Sequence, residues 1–266
     1  MPEGRMLESV MMLWFVLTAV SALVVAIDIR HTPAHPVLKL AFILLTLYMG
    51  PIGALLYVYG CRKRTPEDHA RFVAARWRQV LGSTMHCVAG DGVGILVGAV
   101  IGALVALPLL GEVVLEYVLG FGFGWMIFQA LFMKDMAGGS YARSLESTFI
   151  PELLSMNCLM GAMVPVAALA WQGVPEARDP GHGLFWFRMS LALMAGFAAA
   201  YPMNWWLVSR HLKHGMMTVP APAGAKMKMK GATKAAPVTR EEIAVMTAVS
   251  FAVLAAGVLI AIAATG

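Results

Sequence analysis

Residues Val80 to Leu107 read VLGSTMHCVAGDGVGILVGAVIGALVAL. Asp91 is the single carboxylate in that run and His86 the single imidazole. About 20 apolar residues are enough for a helix to cross ~30 Å of hydrocarbon, so the stretch predicts a transmembrane helix. Six further stretches have the same character: Met6 to Ile27, Val37 to Tyr59, Val113 to Phe132, Phe149 to Trp171, Leu184 to Ser209 and Ile243 to Ala263. The composition agrees. Only 13% of residues are charged, 59% are hydrophobic and mean hydropathy is +0.73, whereas a soluble domain carries roughly a quarter charged residues.

The expected fold is all-α, a polytopic transmembrane bundle of six or seven spans with a cytoplasmic N-terminus. The first span is not a signal peptide, because its apolar run from Val10 to Ile27 exceeds the usual h-region and no small-residue cleavage site follows. The expected organisation is two N-terminal transmembrane helices (1–60), a basic cytoplasmic loop (61–79) and a four-helix membrane core (80–217). A flexible linker rich in Lys, Met, Ala and Pro (218–240) follows, then a C-terminal transmembrane helix (241–266) that reads as an accessory anchor. Thr239 and Glu242 have capping-box spacing at its start.

With that topology, sixteen of the 20 Lys and Arg residues fall on the cytoplasmic side. Only Arg30, Lys39, Arg178 and Arg188 fall outside. This is a positive-inside pattern, and it depends on spans two to five all crossing. The pI of 9.2 reflects charge beside apolar segments, where anionic lipid explains it, so the lipid bilayer and not nucleic acid is the expected partner. Cys61, Cys87 and Cys158 form no CxxC pair and lie in or near spans, which argues against a disulfide framework.

Within the third span, Gly82, His86, Gly90, Gly94, Gly98 and Gly102 recur every four residues and so form one stripe where a neighbouring backbone can approach. His86 in the stripe, with Cys87 and Asp91 to one side of it, puts an imidazole, a thiol and a carboxylate within two turns. Ionisable groups at membrane depth are costly and mark functional interiors. Asp91 and Glu152 are the carboxylates that stand out. Glu152 also has a plain reading: Thr148 could cap the fifth span, Pro151 suits a first turn, and a carboxylate near a helix N-terminus is favoured.

Glu152, Met156, Met160 and Met163 share one helix face, with Asn157 and Cys158 beside it. Gln129, Met133 and Met136 end the fourth span, and Met203 and Asn204 lie late in the sixth. Because adjacent spans alternate in direction, these residues all fall in the inner half of the membrane. At 1.5 Å per residue, His86 lies about 9 Å beyond Val80 and Met203 about 9 Å from Ser209. The outer halves are mostly Val, Leu, Ala and Gly. Methionine is also a routine core filler, so its presence alone assigns no ligand.

No HExxH motif, P-loop or dinucleotide fingerprint occurs in a suitable context. A b-type haem would want two intramembrane histidines, and only His86 lies within a span. His/Met ligation keeps a haem-dependent reading open.

The segments HCVAGDGVG, GWMIFQALFMKDM, FIPELLSMN and YPMNWWLVSRHLKHGMM, between His86 and Met217, resemble the bacterial membrane family catalogued as domain of unknown function 4396. The resemblance implies a bacterial plasma membrane protein and brings no established activity. Some relatives accompany copper-handling modules, which implies copper-handling proteins as partners.

Thioether, thiol and imidazole suit copper(I) better than hard cations. The leading expectation is therefore copper(I) transport or delivery, with His86, Cys87, Met133, Met156, Met160 and Met203 as ligands. Asp91, Glu152, Asn157 and Asn204 would orient those ligands or relay protons; the tail methionines Met216, Met217, Met227 and Met229 read first as linker by composition, with collection or release of the ion as the alternative. The alternatives are a metal-free, proton-coupled transporter of a small solute, in which Asp91 and Glu152 titrate, and a haem- or metal-dependent membrane oxidoreductase or its assembly factor.

Overall fold

The computed structural model describes residues 2–134, 139–215 and 238–265. Met136, Met216, Met217, Met227, Met229 and nearly all of the expected 218–240 linker lie outside them. Among the described residues the regular structure is helical throughout, with no strand. In chain order the helices are α1 (Pro2–Asp28), α2 (Pro36–Met49), α3 (Pro51–Gly60), α4 (Pro66–Val73), α5 (Arg76–Leu104), α6 (Leu109–Gly122), α7 (Ala130–Met133), α8 (Tyr141–Leu169), α9 (Gly183–Ser209) and α10 (Arg240–Thr265). A π-helical segment, Phe123–Gln129, joins α6 to α7, so the three form one apolar run from Leu109 to Met133. Among the described residues six helical runs are long and apolar enough to cross a membrane.

The second expected span is not one helix of spanning length but two shorter apolar ones, Pro36–Met49 and Pro51–Gly60. Gly50 adopts φ +56°, a left-handed conformation open to glycine at little cost. Pro51 lacks the N–H that a continuing helix would need and disfavours helical geometry in the residue before it. The chain doubles back there. A Cβ on Gly53 would lie 2.6 Å from Thr46 Cα, whereas seven residues of straight helix would separate the two by about 10 Å. Thr32 and Tyr57 share a hydrogen bond of 2.9 Å, Tyr57 donates to Asp28 at 2.7 Å, and Arg62 Nε pairs with Asp28 at 2.8 Å. Helices α2 and α3 are thus a re-entrant hairpin whose two ends meet at the C-terminal end of α1.

The topology changes accordingly. Arg78 Nε donates to Tyr59 O at 3.0 Å, so the end of the hairpin and the start of α5 share one end of the bundle with the basic 61–78 segment. The first half of α1 lies toward the other end. Trp14 meets Phe187 at 6.0 Å, and Phe15 lies 3.3 Å from where a Gly183 Cβ would stand, both at the start of α9. The first half of α1 and the basic loop therefore lie toward opposite ends of the bundle, where the seven-span reading has the N-terminus and that loop together. The first sixty residues hold one long helix and a hairpin, because a hydropathy window averages over a reversal of direction.

Helices α5 and α8 form the interior, with 61% of their most apolar window buried against 11% for α1 and α10. The glycine stripe of α5 is the seam on which α6 lies. A Cβ on Gly94 would collide with Leu119 O, one on Gly98 would stand 2.8 Å from Glu116 Cα, and one on Gly102 would stand 3.0 Å from Glu112 Cγ. Gly92, off the stripe, is close-packed too, but against the Tyr48 ring at the hairpin tip, 2.7 Å away.

Helix α8 begins at Tyr141, where Ser140 accepts a hydrogen bond from Arg143 N. Thr148 therefore does not cap it; its hydroxyl donates to Ser144 O at 2.7 Å. Glu152 lies three turns into the helix, where the macrodipole does not reach. Helix α10 is no detached anchor: Gly257 and Gly161 bring its backbone against α8. Its capping box forms as expected, with Glu242 N donating to Thr239 and Thr239 N to Glu242, both at 3.1 Å.

Candidate functional site

The residue that organises the interior lies past the end of α9. The first expected spanless residues, Arg210 to Lys213, form a Schellman turn: His211 N donates to Val208 O at 3.2 Å and Leu212 N to Leu207 O at 3.0 Å. His211 takes the left-handed conformation at φ +58°, and Leu212 packs with Leu207, as this motif requires. The turn sends Lys213 back into the bundle, where its side chain has no exposed surface.

There Lys213 Nζ donates to Cys87 Sγ at 2.5 Å and to Glu152 Oε2 at 3.0 Å, while the Cys87 thiol donates to the same carboxylate oxygen at 3.0 Å. Helices α5 and α8 and the α9 turn each contribute one corner. Burial alone would strip the lysine of its proton; the Cys87 and Glu152 groups outweigh burial and hold its pKa above the ordinary value. The ion pair is the reason a fully buried ammonium persists.

Asp91, one turn beyond Cys87, lies with its carboxylate against Gly124 in the π-helical segment, where any Cβ would overlap it. It is fully buried, neither oxygen has a hydrogen-bond partner among the described residues, and it interacts electrostatically with Glu152 and Lys213. Glu152 Oε1 is likewise unpartnered. The His86 ring sits beside Phe128 at 5.7 Å and Phe132 at 5.0 Å. Neither of its nitrogens makes a hydrogen bond, and Gln129 is the neutral polar side chain in reach. π-Helical turns recur at functional sites, and this one supplies both Gly124 and Gln129.

His86, Cys87, Asp91 and Glu152 are thus brought together as expected from sequence. The remaining expected residues are not. Met156 lies against Gly120, and Met160 belongs to the main apolar core. Met203 packs with Leu154, Cys158 and Leu207 in a separate cluster. Asn157 accepts from Tyr117 at 2.6 Å and donates to Ser250 of α10 at 3.1 Å. Asn204 donates to Ser155 at 2.8 Å and to Ala200 O. Met133 lines a cavity of about 290 Å³ together with Gln129, Pro151, His211, Lys213 and His214. The cavity lies at the basic end of the bundle, between the end of α7, the first turns of α8 and the α9 turn.

Two groups escaped the sequence reading. Lys213 stands four residues past the expected end of the sixth span at Ser209, and nothing short of the turn itself signals its return. Glu116 was legible: it stands one turn after Glu112 inside the fourth span. It packs on Gly98, with Glu112 and Arg188 in electrostatic reach, so the end of the bundle away from Lys213 also holds ionisable groups.

Among the described residues no group of three or more His, Cys, Asp and Glu side chains has a metal-holding arrangement. The donor set bears on the same point, because the Cys87 sulfur already carries the Lys213 ammonium.

A family model described as Domain of unknown function (DUF4396) matches residues 76–213, just over half of the chain, from the first residue of α5 to Lys213. No curated protein and no solved structure matches.

Proposed function

Since this chain belongs to the DUF4396 family, whose description assigns no activity, we propose from its own residues that it is a proton-coupled transporter of a small solute, with Asp91 and Glu152 as the proton-binding groups. One observation carries the reading: two buried carboxylates lie in electrostatic reach of a single buried ammonium, which pairs with Glu152 alone. Lys213 neutralises Glu152. A second negative charge on Asp91 would then lie buried without a counter-ion, which is strongly disfavoured, so Asp91 holds a proton while Glu152 is ionised. A site that is one cation short changes its charge whenever a proton moves, and buried carboxylates of this kind serve proton relays in membrane proteins.

The orientation that goes with it puts the basic end in the cytoplasm of a bacterium and the N-terminus outside. With the hairpin, Arg30 and Lys39 join the cytoplasmic side and Arg5 leaves it. Seventeen of the 20 Lys and Arg residues are then inside, a stronger bias than the seven-span count provides.

Copper(I) transport or delivery is the second reading, favoured by the unpartnered His86 imidazole one residue from the Cys87 thiol. It requires a cation to take the place of the Lys213 ammonium on sulfur, and like charges at that separation repel.

Infrared difference spectra across a pH step, recorded on protein in lipid, test the first reading. A protonated-carboxyl band that titrates, and that Asp91→Asn removes or shifts, is the expected result. No titrating carboxyl band, or a tightly held Cu(I) in a competition titration that Cys87→Ser loses, would replace it with the metal reading.

A further inference from the structure

The seam between α5 and α6 carries ionisable groups at both of its ends. At the inner end Asp91 is fully buried, neither of its oxygens has a hydrogen-bond partner among the described residues, and its backbone oxygen would stand 3.2 Å from a Cβ on Gly120. At the outer end Glu116 lies against Gly98, with its Cγ 3.3 Å from where a Gly98 Cβ would stand, and Glu112 lies against Gly102. At 1.5 Å per residue, Gly98 is about 10 Å beyond Asp91 and about 9 Å short of Leu104, where α5 ends. Glu112, near the helix ends, is an ordinary interfacial carboxylate. Glu116 is at a depth where ionisable groups are costly and mark proton or ion pathways.

Charge at this end is unevenly shared. Arg188 is in electrostatic reach of both carboxylates, whereas Arg178 acts on Glu112 and not on Glu116. Among the described residues no ion pair of 4.0 Å or less joins these groups, and Arg188 Nε is buried without a hydrogen-bond partner. Like charges one turn apart on a helix repel, and the deeper carboxylate has only a shared, unpaired cation. Glu116 is therefore the one that holds a proton, for the same reason as Asp91. No further titratable group intervenes from the neighbouring helices: α5 carries none beyond Asp91, and α8 none between Cys158 and Leu169.

We propose that Glu116 is the outer proton-binding residue of this protein, exchanging protons with the outside and with Asp91 along the α5–α6 seam. The inference rests on the proton-coupled reading and extends its pathway to the outer face. Tyr117 stands on α6 between the levels of Glu116 and Gly120 and lies in electrostatic reach of Asp91. Its hydroxyl donates to Asn157 Oδ1 at 2.6 Å, which leaves its oxygen lone pairs to accept. A phenolic hydroxyl both donates and accepts. Once Asp91 has passed its proton inward, a transfer breaks the O–H bond of Glu116, forms one on Asp91 and leaves Tyr117 as it was. The Glu116 carboxylate then takes up the next proton from the outer face, where Glu112 and Arg178 stand.

Time-resolved infrared spectroscopy of the full chain in lipid nanodiscs after a pH step tests the proposal. Two titrating carboxyl bands are expected, one lost in Asp91→Asn and the other in Glu116→Gln. Glu116→Asp, which keeps the carboxyl, should shift the second band and carries the assignment should the Gln variant not fold. Glu116→Gln should also slow the arrival of the proton on Asp91 by about tenfold or more, within what a positioned proton donor contributes. Tyr117→Phe should slow it with both bands in place, and Glu112→Gln should leave the rate unchanged. A Glu116 carboxyl that does not titrate, or an Asp91 rate indifferent to both Glu116→Gln and Tyr117→Phe, would overturn the outer station while the proton-coupled reading stands on the Asp91 band. A silent Asp91 discards that reading, and the relay with it.

Discussion

A lysine ammonium without exposed surface is tenable only while a counter-charge stays beside it, and at Lys213 that group is Glu152. Removing one partner of a buried pair costs about 3–5 kcal/mol, whereas removing both leaves no stranded charge. Lys213→Met and Glu152→Gln should therefore each lower the thermal midpoint of the detergent-solubilised protein sharply. The double variant should recover most of the loss, and additive losses would show that the pair is not the source of the effect. His86, Cys87, Asp91 and Glu152 were legible in the sequence because a polar group inside an apolar run stands out and alternating spans fix its depth. Lys213 was not, because a lysine past a span end is the ordinary mark of a cytoplasmic boundary. Its inward path depends on a backbone turn at His211, a residue with no strong preference for that conformation.

At the scale of elements, the glycine seam and the α9 turn make separable predictions. Leucine at position 94 meets the backbone of α6, which cannot yield without moving the helix; leucine at 92 meets the Tyr48 ring, which can rotate. Gly94→Leu should reduce folded yield more than Gly92→Leu, and size-exclusion recovery after solubilisation reads the difference. His211→Gly should stabilise the turn by about 1 kcal/mol, since a left-handed conformation costs a residue with a Cβ roughly that much; a lower thermal midpoint would show that the imidazole itself holds the turn. The stripe was readable from its four-residue repeat. The reversal at Gly50–Pro51 was hidden by its own apolarity, because twenty-odd apolar residues satisfy the length rule whether they run straight or fold in two.

For the whole molecule the hairpin decides orientation. Reporters fused after Lys63 and Lys134 should read cytoplasmic. Those near Glu112, Asp179 and the N-terminus should read external, and a cytoplasmic N-terminus together with a cytoplasmic Lys63 would mean that Val37 to Tyr59 crosses after all. The hairpin also bears on how the protein is made. Its tip rests on α5, with Tyr48 against Gly92 and its hydroxyl on Ala89 O at 3.3 Å, so the surface that receives it is synthesised after it. Until α5 emerges from the ribosome, Pro36 to Gly60 has only lipid and α1 for company, and an apolar segment of that length is stable fully across the membrane. A nascent chain halted before Arg76 is therefore expected to show Lys63 on the outside. The mature arrangement would then be reached by a late withdrawal of one strand of the hairpin, timed by the synthesis of its docking partner.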